Sequence, residues 1–206
     1  MNKLNVILCT DSQKGIGKNN KIPWSLKKDM IWFKGMTINK TVIMGNNTFR
    51  SLNEKPLVNR LNIVVTKNIS SMKILEEKYD NLKIVSSIEK AIAYSEVNTN
   101  SFKETFIIGG SIVYNYVITN FGYKIHRIYH TLIQKDFNCD VKLRHSMNFV
   151  KICENVYISE NMKEKNLEFN ISSLSISKNK QEFKLINTMK KNVEISLHKF
   201  IYKFYL

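Results

Sequence analysis

Short, nearly continuous apolar runs alternate with helix-like segments through more than half of the chain, and this alternation constrains the fold more than any other feature. The runs lie at 4–10, with Val6, Ile7 and Leu8 at the centre, then at 41–44, 61–66, 82–85 and 105–108. Runs apolar at consecutive positions suit strands covered on both faces. Helical patterns fill the gaps at 26–36, 48–53, 87–95 and 111–119. Strand alternating with helix implies an α/β fold: a mostly parallel central β-sheet with helices on both faces. Ligands of such folds bind at the carboxyl ends of the strands. After Tyr123 the pattern changes, and 125–133, 149–158 and 167–176 read as antiparallel C-terminal edge strands.

The densest cluster of unusual residues runs from Gly15 to Trp24 and straight on to Thr37. Gly15, Gly17, Asn19, Asn20 and Pro23 keep its first half irregular, and Ser25 is placed to cap a helix with apolar positions Leu26, Met30 and Phe33. Asp29 lies three after Leu26 and four before Phe33, which puts an acid on the apolar face. Burial without a cation raises a carboxyl pKa, and such an acid can hold a heterocycle with an amidine-like edge and help protonate it. The plainer alternative is a first-turn Asp that complements the helix dipole.

Two strand-to-helix junctions read as anion sites. Ile107-Ile108-Gly109-Gly110 leads into Ser111-Ile112-Val113-Tyr114, so backbone N–H groups at a helix start can face a pyrophosphate, with glycines allowing close approach. Met44-Gly45-Asn46-Asn47-Thr48 offers a second helix start. Neither is a G-x-G-x-x-G pattern, but two such ends fit a dinucleotide better than a structural turn.

Taken together, Gly15-Ile16-Gly17, Asn19, Ile22-Pro23-Trp24, Asp29, Phe33-Lys34 and Thr37 resemble the signature of dihydrofolate reductase. Further stretches follow in the family's order: 42–48 with Ser51, Arg60 to Thr66, Phe106 to Tyr114, Tyr129-His130-Thr131, and Asp136 to Asp140. The resemblance covers roughly residues 4 to 175 and implies NADPH-dependent reduction of 7,8-dihydrofolate by hydride transfer to C6 and protonation at N5. It implies that Asp29 holds the pterin and assists protonation, that Trp24 orders a water near it, and that Thr131 hydrogen-bonds the acid. Ile7, Cys9, Met30, Phe33, Leu52 and Ile108 would wall the substrate site together with Tyr114, and Arg60 would grip the α-carboxylate of the glutamate tail. The NADPH site would draw on Cys9, Ile16, Gly17, Gly45, Asn46, Asn47 and Thr48. Its remaining contacts would come from Gly109, Gly110, Ser111, Ile112 and Val113. The family's basic residues for the 2′-phosphate are replaced after Gly45 by Asn46 and Asn47, which leaves Thr66 and Lys67 to carry the NADPH preference. Beyond Asp140 the match thins, since Val141-Lys142-Leu143 stands where the family tends to carry aromatics.

Lys and Arg outnumber Asp and Glu by 32 to 17, a formal net charge of +15. The lysines are scattered, without an arginine-rich run or a recognition motif, so neither nucleic acid nor membrane is required as a partner. The field would still draw in anionic substrates. Cys9, Cys139 and Cys153 have no metal-ligand spacing, no metal site is expected, and a reducing, cytoplasmic setting follows. The start of the chain lacks a signal-peptide layout and no apolar run reaches the ~18–20 residues of a membrane span. The expected organisation is a reductase-like domain at 1–177 and a basic extension at 178–206, and the protein is expected to be a monomer. Residues 182–192 are weakly similar to the opening helix of thymidylate synthase as it follows the reductase in bifunctional proteins, which makes thymidylate synthase a candidate partner. The rest of the tail could form a basic amphipathic helix or pack on its own domain. Competing readings are a non-catalytic basic binding protein on a reductase scaffold and a related pterin or pyrimidine reductase.

Overall fold

The structure is a computed structural model that describes residues 3–98, 103–144, 155–158, 162–164 and 167–175. Of the strand expected at 149–158 residues 155–158 are described, whereas 149–154, the Cys153 thiol and the 178–206 extension lie outside the described residues. The described chain divides into two compact units.

One unit gathers the chain up to Val6, Asn19–Lys21 and Thr37–Ile125. Its strands are the first half of β1 (Lys3–Thr10), β3 (Thr41–Gly45), β4 (Leu61–Val65), β5 (Leu82–Val85) and β6 (Glu104–Gly109), in the order β1-β6-β3-β4-β5. Every pairing among them is parallel. Continuous apolar sequence is the reason: Val42, Ile43, Met44, Ile63, Val64 and Ile107 are all fully buried, as strands with both faces covered must be. Helices α2 (Asn46–Ser51), α3 (Lys73–Lys78), α4 (Ile88–Val97) and α5 (Ser111–Phe121) connect them. Ser87 caps α4 by accepting the Lys90 N–H, and Ala91, Ile92, Val113 and Val117 turn inward at helical spacing. Helix α3 has no expectation behind it in the sequence. It is tied to β5 by Glu76, whose carboxylate pairs with Lys83 and accepts the Ile84 N–H.

The other unit gathers Ile7–Lys18, Ile22–Met36 and the described residues from His126 onward. Strand β7 (Ile125–Ile133) runs antiparallel to β11 (Leu167–Ser175), which also pairs antiparallel with β9 (Asn155–Ile158) and β10 (Met162–Glu164). Strand β7 also neighbours β1. A core of Trp24, Leu26, Ile133, Cys139, Phe169 and Ile171 closes the unit, with Trp24 edge-on to Phe137 at 5.2 Å between ring centres.

Two local expectations need correction here. The segment from Gly15 is not irregular throughout: Gly15–Gly17 forms strand β2, antiparallel to β8 (Val141–Lys142). Only the following turn is irregular, with Asn19 and Asn20 at φ 50° and 57°, the left-handed region asparagine tolerates. Helix α1 spans Lys27–Thr37, not 26–36, and Ser25 does not begin it. Leu26 accepts the Met30 N–H from the N-cap position, and the N–H groups of Lys27 and Lys28 donate to the Glu164 carboxylate at 2.7 and 2.9 Å. Because Leu26 stands outside the helix, counting the apolar face from it misplaces the face: Met30 is 57% exposed, and among α1 residues only Thr37 is fully buried.

Candidate functional site

In the second unit, Asp29 occupies the first turn of α1 and is half-buried. The Thr131 hydroxyl, from the middle of β7, donates to its Oδ1 at 2.6 Å. Burial raises the Asp29 pKa above its usual value, the Thr131 hydrogen bond offsets part of that, and the nearby Glu164 charge raises it again. An acid with its proton affinity raised, held by a buried hydroxyl, is equipped to bind a polar heterocycle edge and to supply a proton.

Cys9, at the end of β1, packs against the core that holds Trp24. Burial and the Asp29 charge push its thiol well above the ordinary range, a hydrogen bond with Trp24 working the other way. Ile7 is buried, Phe33 is half-buried, and Met30 stands exposed. Ile16 and Gly17 lie in β2, half-buried.

In the first unit, Arg60 is 6% exposed, which rules out a solvated surface charge. Its Nε donates to Thr37 Oγ1 at 2.9 Å and its Nη1 to the Val58 carbonyl at 3.0 Å. Burial lowers its pKa from the usual guanidinium value. The loop that carries it is fixed by Asn62 and Asn81, whose side-chain amides both donate to the carbonyls of Leu57 and Arg60. Leu52 and Ile108 are half-buried, whereas Tyr114 is buried beside Gly109.

The two glycine junctions converge, because β3 and β6 are neighbours and Met44 aligns with Gly109 after a register shift. A Cβ built on Gly45 would meet Val113 Cγ2 at 3.1 Å and the Gly110 nitrogen at 3.8 Å, and one on Gly110 would meet Thr48 Oγ1 at 3.3 Å. Gly109 has φ +118°, which side-chain-bearing residues rarely adopt, and its peptide bond to Gly110 is cis. Helix α5 begins at Ser111 with Gly110 as N-cap and no side chain capping it, and α2 begins likewise after Gly45. Asn46 Oδ1 is buried and without a hydrogen-bond partner among the described residues, while Asn47 is exposed. Ser111 is half-buried, Val113 buried and Ile112 77% exposed. At the end of β4, Thr66 is buried with its hydroxyl accepting the Asn68 N–H, and Lys67 is exposed. Two helix starts without side-chain caps, side by side and each preceded by glycine, form a cradle for linked anionic groups.

Sequence reasoning missed Asp11. Its buried carboxylate accepts the N–H groups of Gly15 at 2.6 Å, Gln13 at 2.9 Å and Phe137 at 3.2 Å, joining the segment before β2 to the turn before β8. The signal was present as an Asx-turn: an Asp two residues before one donor and four before a glycine. Burial alone would raise its pKa, but these bonds and one from Cys139 outweigh it and hold the carboxyl below its usual 3.8. A depressed carboxyl stabilises the fold above its unfolded pKa, and that contribution fades as pH falls through the folded value. Asp11→Ala is therefore expected to destabilise the protein by about 2–4 kcal/mol near pH 7, with the gap closing below about pH 4. Urea unfolding of both proteins across pH 3–7 measures it, and a gap that does not change with pH would contradict it.

The dihydrofolate reductase family model matches residues 3–175. A dihydrofolate reductase of Heliothis virescens is 38% identical over 149 residues, 67% of this chain and 77% of that protein. A bifunctional dihydrofolate reductase-thymidylate synthase of Paramecium tetraurelia is 34% identical over 138 residues, 67% of this chain but 27% of that protein. Among solved structures, a dihydrofolate reductase from Enterococcus faecalis complexed with NADP(H) and RAB-propyl superposes with a TM-score of 0.68 at 25% identity, covering 85% of this chain and 96% of that one.

Proposed function

The chain belongs to the dihydrofolate reductase family, and from that premise we propose how its own residues reduce 7,8-dihydrofolate to tetrahydrofolate with NADPH. The observation that carries the reading is the Asp29–Thr131 pair. Asp29 accepts from the amino-pyrimidine edge of the pterin while Thr131, donating to Oδ1, fixes which carboxyl oxygen is free to do so. Its raised proton affinity equips the acid to share a proton with the substrate, so that N5 is protonated as C6 is reduced. Burial raises the proton affinity of Asp29, and Cys9, whose thiol feels the Asp29 charge, is among its neighbours. Trp24 is buried in the core, and its part in ordering water at the acid is a reading that rests on the family resemblance.

The residues of the glycine cradle fit NADPH: the Gly45, Gly109 and Gly110 backbones leave room that a Cβ would fill, and the α5 start offers uncapped N–H groups. When bound there, NADPH supplies the hydride. Thr48, Ser111 and the N–H groups of residues 111–113 would hold its pyrophosphate, and Thr66 with Lys67 its 2′-phosphate, with Asn46 contributing an amide. Gly15 to Lys21, rich in Gly and Asn and attached to Trp24, is the segment this reading takes as the lid that would exclude water. Arg60, buried and aligned by Thr37, would present its planar guanidinium to the substrate's α-carboxylate.

Free Cys9 and Cys139 suit a reducing, cytoplasmic compartment. The product feeds one-carbon chemistry, and a thymidylate synthase is the partner this reading favours. The test is NADPH oxidation by purified protein with 7,8-dihydrofolate, repeated with NADH to judge Thr66 and Lys67. Absence of turnover in folded protein that binds NADPH would overturn the reading. Arg60→Leu is expected to weaken dihydrofolate binding by about 10- to 100-fold, the value of a charge-assisted hydrogen bond, with NADPH affinity unchanged. Equal loss of both ligands, measured by fluorescence titration, would refute the assignment.

A further inference from the structure

The carboxylate of Glu164 reaches across 137 and 136 residues of sequence to accept the first two N–H groups of α1, from Lys27 and Lys28. The next residue is Asp29. Glu164 ends β10, where it aligns with Leu167 of β11, and β11 in turn aligns Ile171 with Thr131 of β7. The acid and its hydroxyl partner are thus held to one another by a closed path: α1 to Glu164, through β10 and β11 to β7, and back by the Thr131–Asp29 hydrogen bond at 2.6 Å. We propose that Glu164 is a positioning residue for Asp29, fixing the first turn of α1 against β7 and placing a second negative charge beside the catalytic acid.

A neutral cap side chain would satisfy one of these N–H groups, whereas the two oxygens of Glu164 satisfy both, and Leu26 at the N-cap position has no acceptor of its own in the side chain. A carboxylate in that place has an additional effect. Two like charges close together disfavour ionisation of the more buried one, so Glu164 keeps a proton on Asp29 to higher pH. The field of Glu164 acts on Asp29 in that direction, after burial and the Thr131 bond. The other titratable groups around Asp29 do not duplicate this. On β1 the Cys9 thiol is held neutral by burial, and Asp11 acts on Cys9 and Cys139. On β7, His130 sits one residue from Thr131 and so projects to the opposite face, where it bonds Thr10 Oγ1 at 2.9 Å. On α1 itself Lys27 and Lys28 are exposed, and their charges oppose that of Glu164 from the solvent side. On β11, Glu168 is exposed.

The inference rests on the reductase reading for its catalytic meaning, and its test separates the two. The 13C carboxyl resonance of Asp29, assigned by its loss in Asp29→Asn, is titrated in the intact protein, in Glu164→Gln and in Glu164→Asp, and the pH dependence of turnover is measured beside it. Glu164→Gln keeps an acceptor for α1 and removes the charge. The expected result is a midpoint lower by about half a pH unit in Glu164→Gln, with the falling limb of the rate moving by the same amount, and a midpoint in Glu164→Asp close to that of the intact protein. An unmoved midpoint in Glu164→Gln overturns the proposal, even if turnover falls, because a purely structural cap would lower the rate at every pH without moving it. If the intact protein shows no turnover, the reductase reading fails while the carboxyl titration still decides the role of Glu164.

Discussion

Asp29→Asn is expected to lower turnover of 7,8-dihydrofolate at pH 7 by about 10²–10³-fold, the range that a positioned general acid contributes, without weakening NADPH binding. The amide keeps the size of the side chain and can still accept from Thr131, so the fold and the glycine cradle in the other unit should be undisturbed. What it lacks is a proton to share with N5. The deficit should narrow as pH falls, because protonation from solution then replaces the acid. In the intact protein the rate should fall as pH rises through the Asp29 pKa, which burial has raised above 3.8. The stability linkage has the same sign. A carboxyl whose folded pKa is raised stabilises the fold fully only below its unfolded pKa, and that contribution is lost as pH rises through the folded value, so Asp29→Asn should be no less stable than the parent at pH 7. Full activity in Asp29→Asn at pH 7, or parallel loss of NADPH affinity, would remove Asp29 from the proton transfer.

The opposed shifts of Asp29 and Asp11 show what the sequence can and cannot disclose. Both are acids beside apolar residues. Asp29 was legible because Trp24 and Phe33 flank it in a known family order, and because a helix-borne acid near apolar positions is unusual. At Asp11 the turn is legible but the burial is not, because Asp-Ser-Gln-Lys reads as an ordinary solvated turn, and only the folded chain brings the Phe137 N–H to it. The same distinction runs through the fold. Strands β5 and β7 have the bounds expected of them, 82–85 and 125–133, since a short run rich in β-branched and aromatic residues reveals itself by local composition. Strand β10 and the Glu164 cap were not expected, since the cap is a contact between residues more than a hundred positions apart. The phase of α1 failed for a related reason: Leu26 has the spacing of a helical core residue but is the N-cap, so its burial belongs to the core around Trp24 and carries no information about Met30. Arg60 shows a third case. Its Nε donates to Thr37, which comes within reach only through the pairing of β3 and β4.

Gly109→Ala is expected to cost more cofactor affinity than any other single methyl added to the first unit. The backbone there has φ +118°, and holding a residue with a Cβ in such a region costs about 1–3 kcal/mol. The added carbon would also meet the Tyr114 ring at 3.1 Å, and Tyr114 is buried, so the ring has little room to withdraw. Relief must come from the backbone of residues 109–111, the same atoms that present the N–H groups of the α5 start. The expected result is a rise in the NADPH dissociation constant of about 10- to 100-fold, equivalent to the strain at 1.4 kcal/mol per decade, with a lower unfolding midpoint. Gly122→Ala is the matched control. It lies at the other end of α5 with φ −49°, a conformation alanine adopts freely, and nothing stands within 4 Å of its would-be Cβ. That substitution should leave NADPH affinity unchanged and stability the same or slightly higher, since it also narrows the unfolded ensemble. Equal effects of the two substitutions on NADPH titrations would mean that the cradle at Gly109 and Gly110 is not where the cofactor's phosphates sit.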